Sequence, residues 1–111
     1  MIRQSLVCFT AACLTTTSGA AFAQSGPPDA QKGRALAEQL CATCHAVSGE
    51  VGGRSRPDVP GFAAIARSPH TTPERLAGAI ILPHPAMPGV PLTRAEIRDV
   101  IAYIMSLRPA N

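Results

Sequence analysis

Cys41-Ala42-Thr43-Cys44-His45 decides the reading of this chain. Two thiols stand two residues apart, and an imidazole follows the second directly. Cysteines this close in sequence cannot stabilise a fold by closing a long loop, so their purpose is local chemistry. A thioredoxin-like redox couple needs a βαβ setting, and the chain shows no strand alternation. A structural zinc site needs four ligands. Cys41, Cys44, His45 and one remote histidine could supply them, but zinc gives no reason for a histidine immediately after the second thiol.

Haem attachment does give one. Thiols separated by two residues reach the two vinyl groups of one porphyrin edge and form thioethers, and the next histidine is brought under the iron as proximal ligand. The chemistry requires export, because haem c is attached outside the cytoplasm. Met1 to Ala23 reads as a secretory signal peptide, with Arg3 as its positive region, a mostly apolar Leu6–Leu14 and a small-x-small Ala21-Phe22-Ala23 cleavage site before Gln24. The apolar run is shorter than the roughly 20 residues a membrane span needs. A retained anchor and lipidation at Cys13 are the competing readings; against the second, Thr10 stands where lipoprotein processing prefers a leucine-like residue.

The expected division is thus a signal peptide over 1–23 and one domain over 24–111, placed in the periplasm. Cys8, Cys13, Phe9 and Phe22 leave with the signal. The remainder keeps Cys41 and Cys44 as its cysteines and Phe62 and Tyr103 as its aromatics, with no tryptophan. So small a domain struggles to build a sufficient core from its own side chains. A porphyrin supplies the large rigid apolar body that aromatics usually provide. The formal charge of +3 falls to +2 once Arg3 is removed, and Lys32 is the one lysine. This resembles neither a nucleic-acid footprint nor a strongly steering face.

The rest of the chain reads as helices. After a polar Gln24–Pro28 lead, Asp29 caps a helix over about Ala30–Leu40, with Gly33, Leu36, Ala37 and Leu40 on one stripe. A Gly-, Pro- and Arg-rich loop covers Ser48–Pro60, and Phe62–Ala66 makes one or two turns. Thr72-Pro73-Glu74 starts a third helix, whose apolar side is Leu76, Ala79 and Ile80 and which Pro83 ends. His84–Pro91 is stiffened by Pro85, Pro88 and Pro91 into an extended loop. Thr93-Arg94-Ala95-Glu96 is a capping box for the last helix. Ile97, Val100, Ile101 and Ile104 follow at helical spacing, with Tyr103 and Leu107 alongside, and Pro109 closes it. The expected fold class is all-α.

Haem iron in electron carriers usually takes a ligand on each face. Met105 falls inside the last helix, where methionine commonly fills core. Met87 sits in the proline-framed loop, far enough beyond His45 to reach the opposite face, and a stiffened loop lowers the ordering cost of a weak thioether ligand. His84 and His70 are its rivals, since imidazole also binds iron.

These stretches together resemble the class I c-type cytochromes, specifically the small bacterial monohaem kind. The match runs through Gly33-x-x-Leu36, Cys41-x-x-Cys44-His45, His84-Pro85-Ala86-Met87-Pro88 and Leu92-Thr93 to Leu107. The resemblance implies a cytochrome c-like fold of three to four helices wrapped around one covalently bound haem c, its iron held by His45 and Met87. It implies that the first and last helices cross, with Gly33 letting Tyr103 pack closely. It further implies that a proline carbonyl accepts the proximal histidine's ring N–H, with Pro60 best placed and Pro57 the alternative. Many relatives carry an aromatic near Leu36 or Ala37, where this chain has only aliphatics.

The function expected is outer-sphere one-electron transfer, not enzymatic catalysis, with redox-protein donor and acceptor bound transiently. Neither nucleic acid nor stable membrane insertion is expected. The alternatives are a haem subunit of a larger dehydrogenase or oxidase complex, and a gas-binding protein whose sixth iron position is open.

Overall fold

The computed structural model describes residues 26–49, 56–82, 84 and 87–110. The signal peptide expected over 1–23, the Glu50–Ser55 part of the loop, Pro83, Pro85 and Ala86 lie outside the described residues. Among the described residues the protein is helical with no strand: α1 (Ala30–Leu40), α2 (Phe62–Arg67), α3 (Pro73–Ile81) and α4 (Arg94–Ser106).

Local chemistry sets each helix start. Asp29 caps α1 by accepting from the amides of Gln31 and Lys32, and those bonds hold its carboxyl below the usual aspartate range. Thr72 accepts from the Arg75 amide at 3.2 Å, with Pro73 at the first helical position of α3. At α4 the capping box is complete: Glu96 accepts from the Thr93 amide at 2.7 Å, and the Thr93 hydroxyl oxygen accepts from the Glu96 amide at 3.3 Å. These bonds satisfy amides that no helical carbonyl can reach.

α1 and α4 form the main helix pair, and α2 and α3 pack on α4. Gly33 explains how closely the first two approach: a Cβ there would overlap the backbone carbonyl of Asp99 and crowd the Val100 amide. The glycine makes room for the α4 backbone at Asp99–Val100, one turn before Tyr103. The same contact is sealed at its end by the Asp99 carboxylate, which accepts from the Asp29 amide at 2.7 Å.

The buried cluster is Ala37, Phe62, Ala66, Leu76, Val100, Ile101, Tyr103 and Ile104. Its members are small or medium-sized apart from two aromatics, and Phe62, Val100 and Ile104 also line a cavity. The helices thus make a wall around a space that the side chains leave open. Arg108 ties the end of α4 back to the wall, donating to the carbonyls of Ala66 at 3.2 Å and Thr71 at 2.8 Å.

Candidate functional site

The cavity has a volume of about 400 Å³, within the range of cofactor pockets. Cys41, Cys44 and His45 line one side, with Pro60 and Phe62 behind them. His84, Met87, Pro88, Val90 and Leu92 line it from the segment after α3. Val100 and Ile104 of α4, Ile65 of α2 and Ile80 of α3 complete an apolar interior.

The motif reaches the cavity because of how α1 ends. The Cys41 amide still donates to Ala37 at 2.8 Å, and the Cys41 carbonyl then accepts from both Cys44 at 3.1 Å and His45 at 2.9 Å. One compact turn therefore presents both thiols and the imidazole to the same space. Both cysteines are free and half-buried. Burial pushes the Cys41 thiol above its ordinary pKa, which disfavours the thiolate a thioredoxin-like couple would need. The zinc reading also lacks support, since the described residues hold no cluster of three or more His, Cys, Asp or Glu suited to a metal ion.

His45 is held from behind. Its Nδ1 lies 2.8 Å from the Pro60 carbonyl; a carbonyl only accepts, so Nδ1 carries a proton and Nε2 is the nitrogen left to meet a metal. The acceptor is Pro60, with Pro57 elsewhere on the exposed loop. The 45–47 and 60–62 strands of chain run in close contact: the Phe62 amide donates to Ala46 at 2.8 Å, and a Cβ on Gly61 would sit 3.1 Å from the Ala46 side chain. The Phe62 ring packs against the imidazole with centroids 5.5 Å apart, and Tyr103 packs behind Phe62 at 6.4 Å.

Two contacts here were not read from the sequence. The Tyr103 hydroxyl donates to the Val47 carbonyl at 2.6 Å, anchoring α4 to the chain just after His45. Phe62 packs against the imidazole, and its being the one phenylalanine beyond residue 23 was the available clue.

Also lining the cavity, Met87 is half-buried and joined to His84 by a 2.9 Å bond from its amide to the His84 carbonyl. Met105 is partly buried against the core and does not line the cavity. His70 is exposed and also outside it. His84, in contrast, lines the cavity, its ring centroid 6.4 Å from that of His45.

The arrangement fits a covalently attached haem. Two free thiols, an imidazole and a thioether border one largely apolar cavity. The family profile described as "Cytochrome C oxidase, cbb3-type, subunit III" matches residues 28–104. The chain belongs to the c-type cytochromes, as a small class I member, and that family carries covalently bound haem c with its iron. It is 43% identical over 97 residues to cytochrome c-552 of Bradyrhizobium diazoefficiens, covering 87% of this chain and 92% of that relative. No solved structure matches the chain significantly. As a c-type cytochrome related to this protein, it is an electron carrier.

Proposed function

We propose that the chain is an exported single-haem shuttle, bonded to its haem through Cys41 and Cys44, with His45 as proximal and Met87 as distal iron ligand. The observation that carries this reading is that His45, Met87 and both thiols line one largely apolar cavity. The haem, when bound, supplies reversible one-electron chemistry at iron. Everything else is done by the chain. Cys41 and Cys44 retain the cofactor at an open crevice. The Pro60 carbonyl fixes the tautomer and orientation of His45 and raises its basicity. Phe62, Val100 and Ile104 exclude water from its inner face.

Met87 presents a soft donor, and a His/Met pair raises the potential. With both ligands retained through the cycle, little must reorganise. Kinship with cytochrome c-552 supports a carrier in place of an enzyme. Export by the signal peptide at 1–23 would place it in the periplasm, where donor and acceptor redox proteins dock transiently. No helix among the described residues is long and apolar enough to cross a membrane.

A redox-titrated optical spectrum of the exported protein, with and without Met87→Ala, tests the ligand pair. Wild type is expected to be low-spin in both states with a sulfur–iron charge-transfer band in the oxidised one. Met87→Ala is expected to lose that band and to have a lower potential. A spectrum that the substitution leaves unaltered overturns Met87 as ligand. The family description also favours a second reading, a haem subunit of an oxidase complex; stable copurification with such a complex would select it.

A further inference from the structure

The distal segment carries two donors into the cavity where the iron needs one. His84 lines the same space as Met87, and the bond from the Met87 amide to the His84 carbonyl folds the two residues into a single turn. The His84 ring centroid stands 6.4 Å from that of His45, with the ring planes at 77°. With metal–imidazole nitrogen bonds of about 2 Å, two imidazoles holding one metal from opposite sides have their centres about 6 Å apart. The relative angle of their planes is free to vary about the bond axis. Both His84 and the other rival histidine, His70, are exposed, but His70 is absent from the lining.

We propose that His84 is a second ligand for the sixth iron position, competing with Met87 and closing that position whenever the thioether leaves it. The inference rests on the His45/Met87 reading and extends it. Donor chemistry gives the competition a direction. A thioether is soft and suits the reduced metal, whereas imidazole is the harder donor and suits the oxidised one. In the exchange the iron–sulfur bond breaks and an iron–nitrogen bond forms. No proton need move if the imidazole is neutral, and the electron that sets the direction comes from or goes to the redox partner. The consequence is protective: loss of Met87 from iron does not leave a site open to small exogenous ligands.

The test compares haem-loaded, exported wild type, Met87→Ala, Met87→Ala/His84→Ala and Met87→Ala/His70→Ala, with carbon monoxide as the probe of the reduced proteins. Met87→Ala is expected to lose the sulfur–iron band yet remain low-spin when oxidised. The Met87→Ala/His84→Ala protein is expected to become high-spin, and free imidazole should restore its low-spin spectrum. Carbon monoxide should bind Met87→Ala about tenfold or more weakly than the Met87→Ala/His84→Ala protein, because a competitor that occupies the position lowers apparent affinity by the fraction left open. Met87→Ala/His70→Ala should behave as Met87→Ala.

A measurement on Met87→Ala alone covers the case in which the double variant does not accumulate. Pulsed EPR of that protein with isotopically labelled histidine should count two iron-bound imidazoles. A count of one, or a high-spin Met87→Ala that binds carbon monoxide as tightly as the double variant, overturns the proposal and leaves the His45/Met87 reading standing. A wild-type spectrum that lacks the sulfur–iron band and is unaltered by Met87→Ala overturns the ligand pair itself, and with it the competition.

Discussion

The Tyr103 hydroxyl donates to the Val47 carbonyl at 2.6 Å across 56 residues of chain. This bond links the last helix to the segment that carries His45, so the His45 imidazole is positioned by α4 as well as by its own turn. Burial raises the phenol's pKa, which keeps it a donor across the working range.

Tyr103→Phe removes the donor and leaves the Val47 carbonyl without its partner. A half-buried acceptor stripped in this way costs about 1–2 kcal/mol. Denaturant unfolding of the haem-loaded protein should show a loss of that size with an unchanged slope. An unaltered midpoint would mean that the bond contributes nothing to the fold.

Gly33 and Gly78 should respond in opposite senses to alanine. At Gly33 the added methyl meets the α4 backbone at Asp99, and backbone cannot move aside as a flexible side chain can. Overpacking of about 1–3 kcal/mol outweighs the gain in helix propensity of about 1 kcal/mol. At Gly78, within α3, the methyl meets nothing within 4 Å, so Gly78→Ala should stabilise by about 0.5–1 kcal/mol. Thermal midpoints of the two variants check both signs.

The helix caps make the protein acid-sensitive. Bonds from Thr93 hold the Glu96 carboxyl below the usual glutamate range, and Asp29 is lowered by the amides it caps. A depressed folded-state pKa contributes stability that is fully present above the unfolded value and is lost as pH falls through the folded one. The loss should therefore set in below about pH 4. Glu96→Gln should flatten that acid limb in unfolding measured against pH, and a limb identical to wild type would assign it to other groups.

Removing the cofactor should remove the fold's centre. The cavity is bordered by Phe62, Val100 and Ile104, which are themselves core residues. A Cys41→Ala/Cys44→Ala protein without haem should keep helical far-UV circular dichroism in part and lose its cooperative thermal transition. A sharp transition in that variant would show that the side chains alone complete the core.

Much of the site was legible from short-range patterns. Cys41, Cys44 and His45 are bound to one another by spacing, and a turn closed by the Cys41 carbonyl delivers all three together whatever the rest of the chain does. The caps Asp29, Thr72 and Thr93 were readable for the same reason, since each bonds amides two or three residues on. The choices that spacing left open were long-range. Pro60 was the better placed carbonyl with Pro57 as its alternative, and His84 and His70 were both rivals of Met87.

The sequence by itself determined that helices would surround a thiol-bound haem, because periodicity, capping and the Cys-x-x-Cys-His spacing are local and need no partner to be recognised. Tertiary structure alone decided that the Pro60 carbonyl meets His45, that His84 joins Met87 at the cavity while His70 stays outside, and that Gly33 lies against the α4 backbone at Asp99. Those outcomes depend on where separate segments meet, and contact between segments follows from packing, which no stretch of one segment encodes.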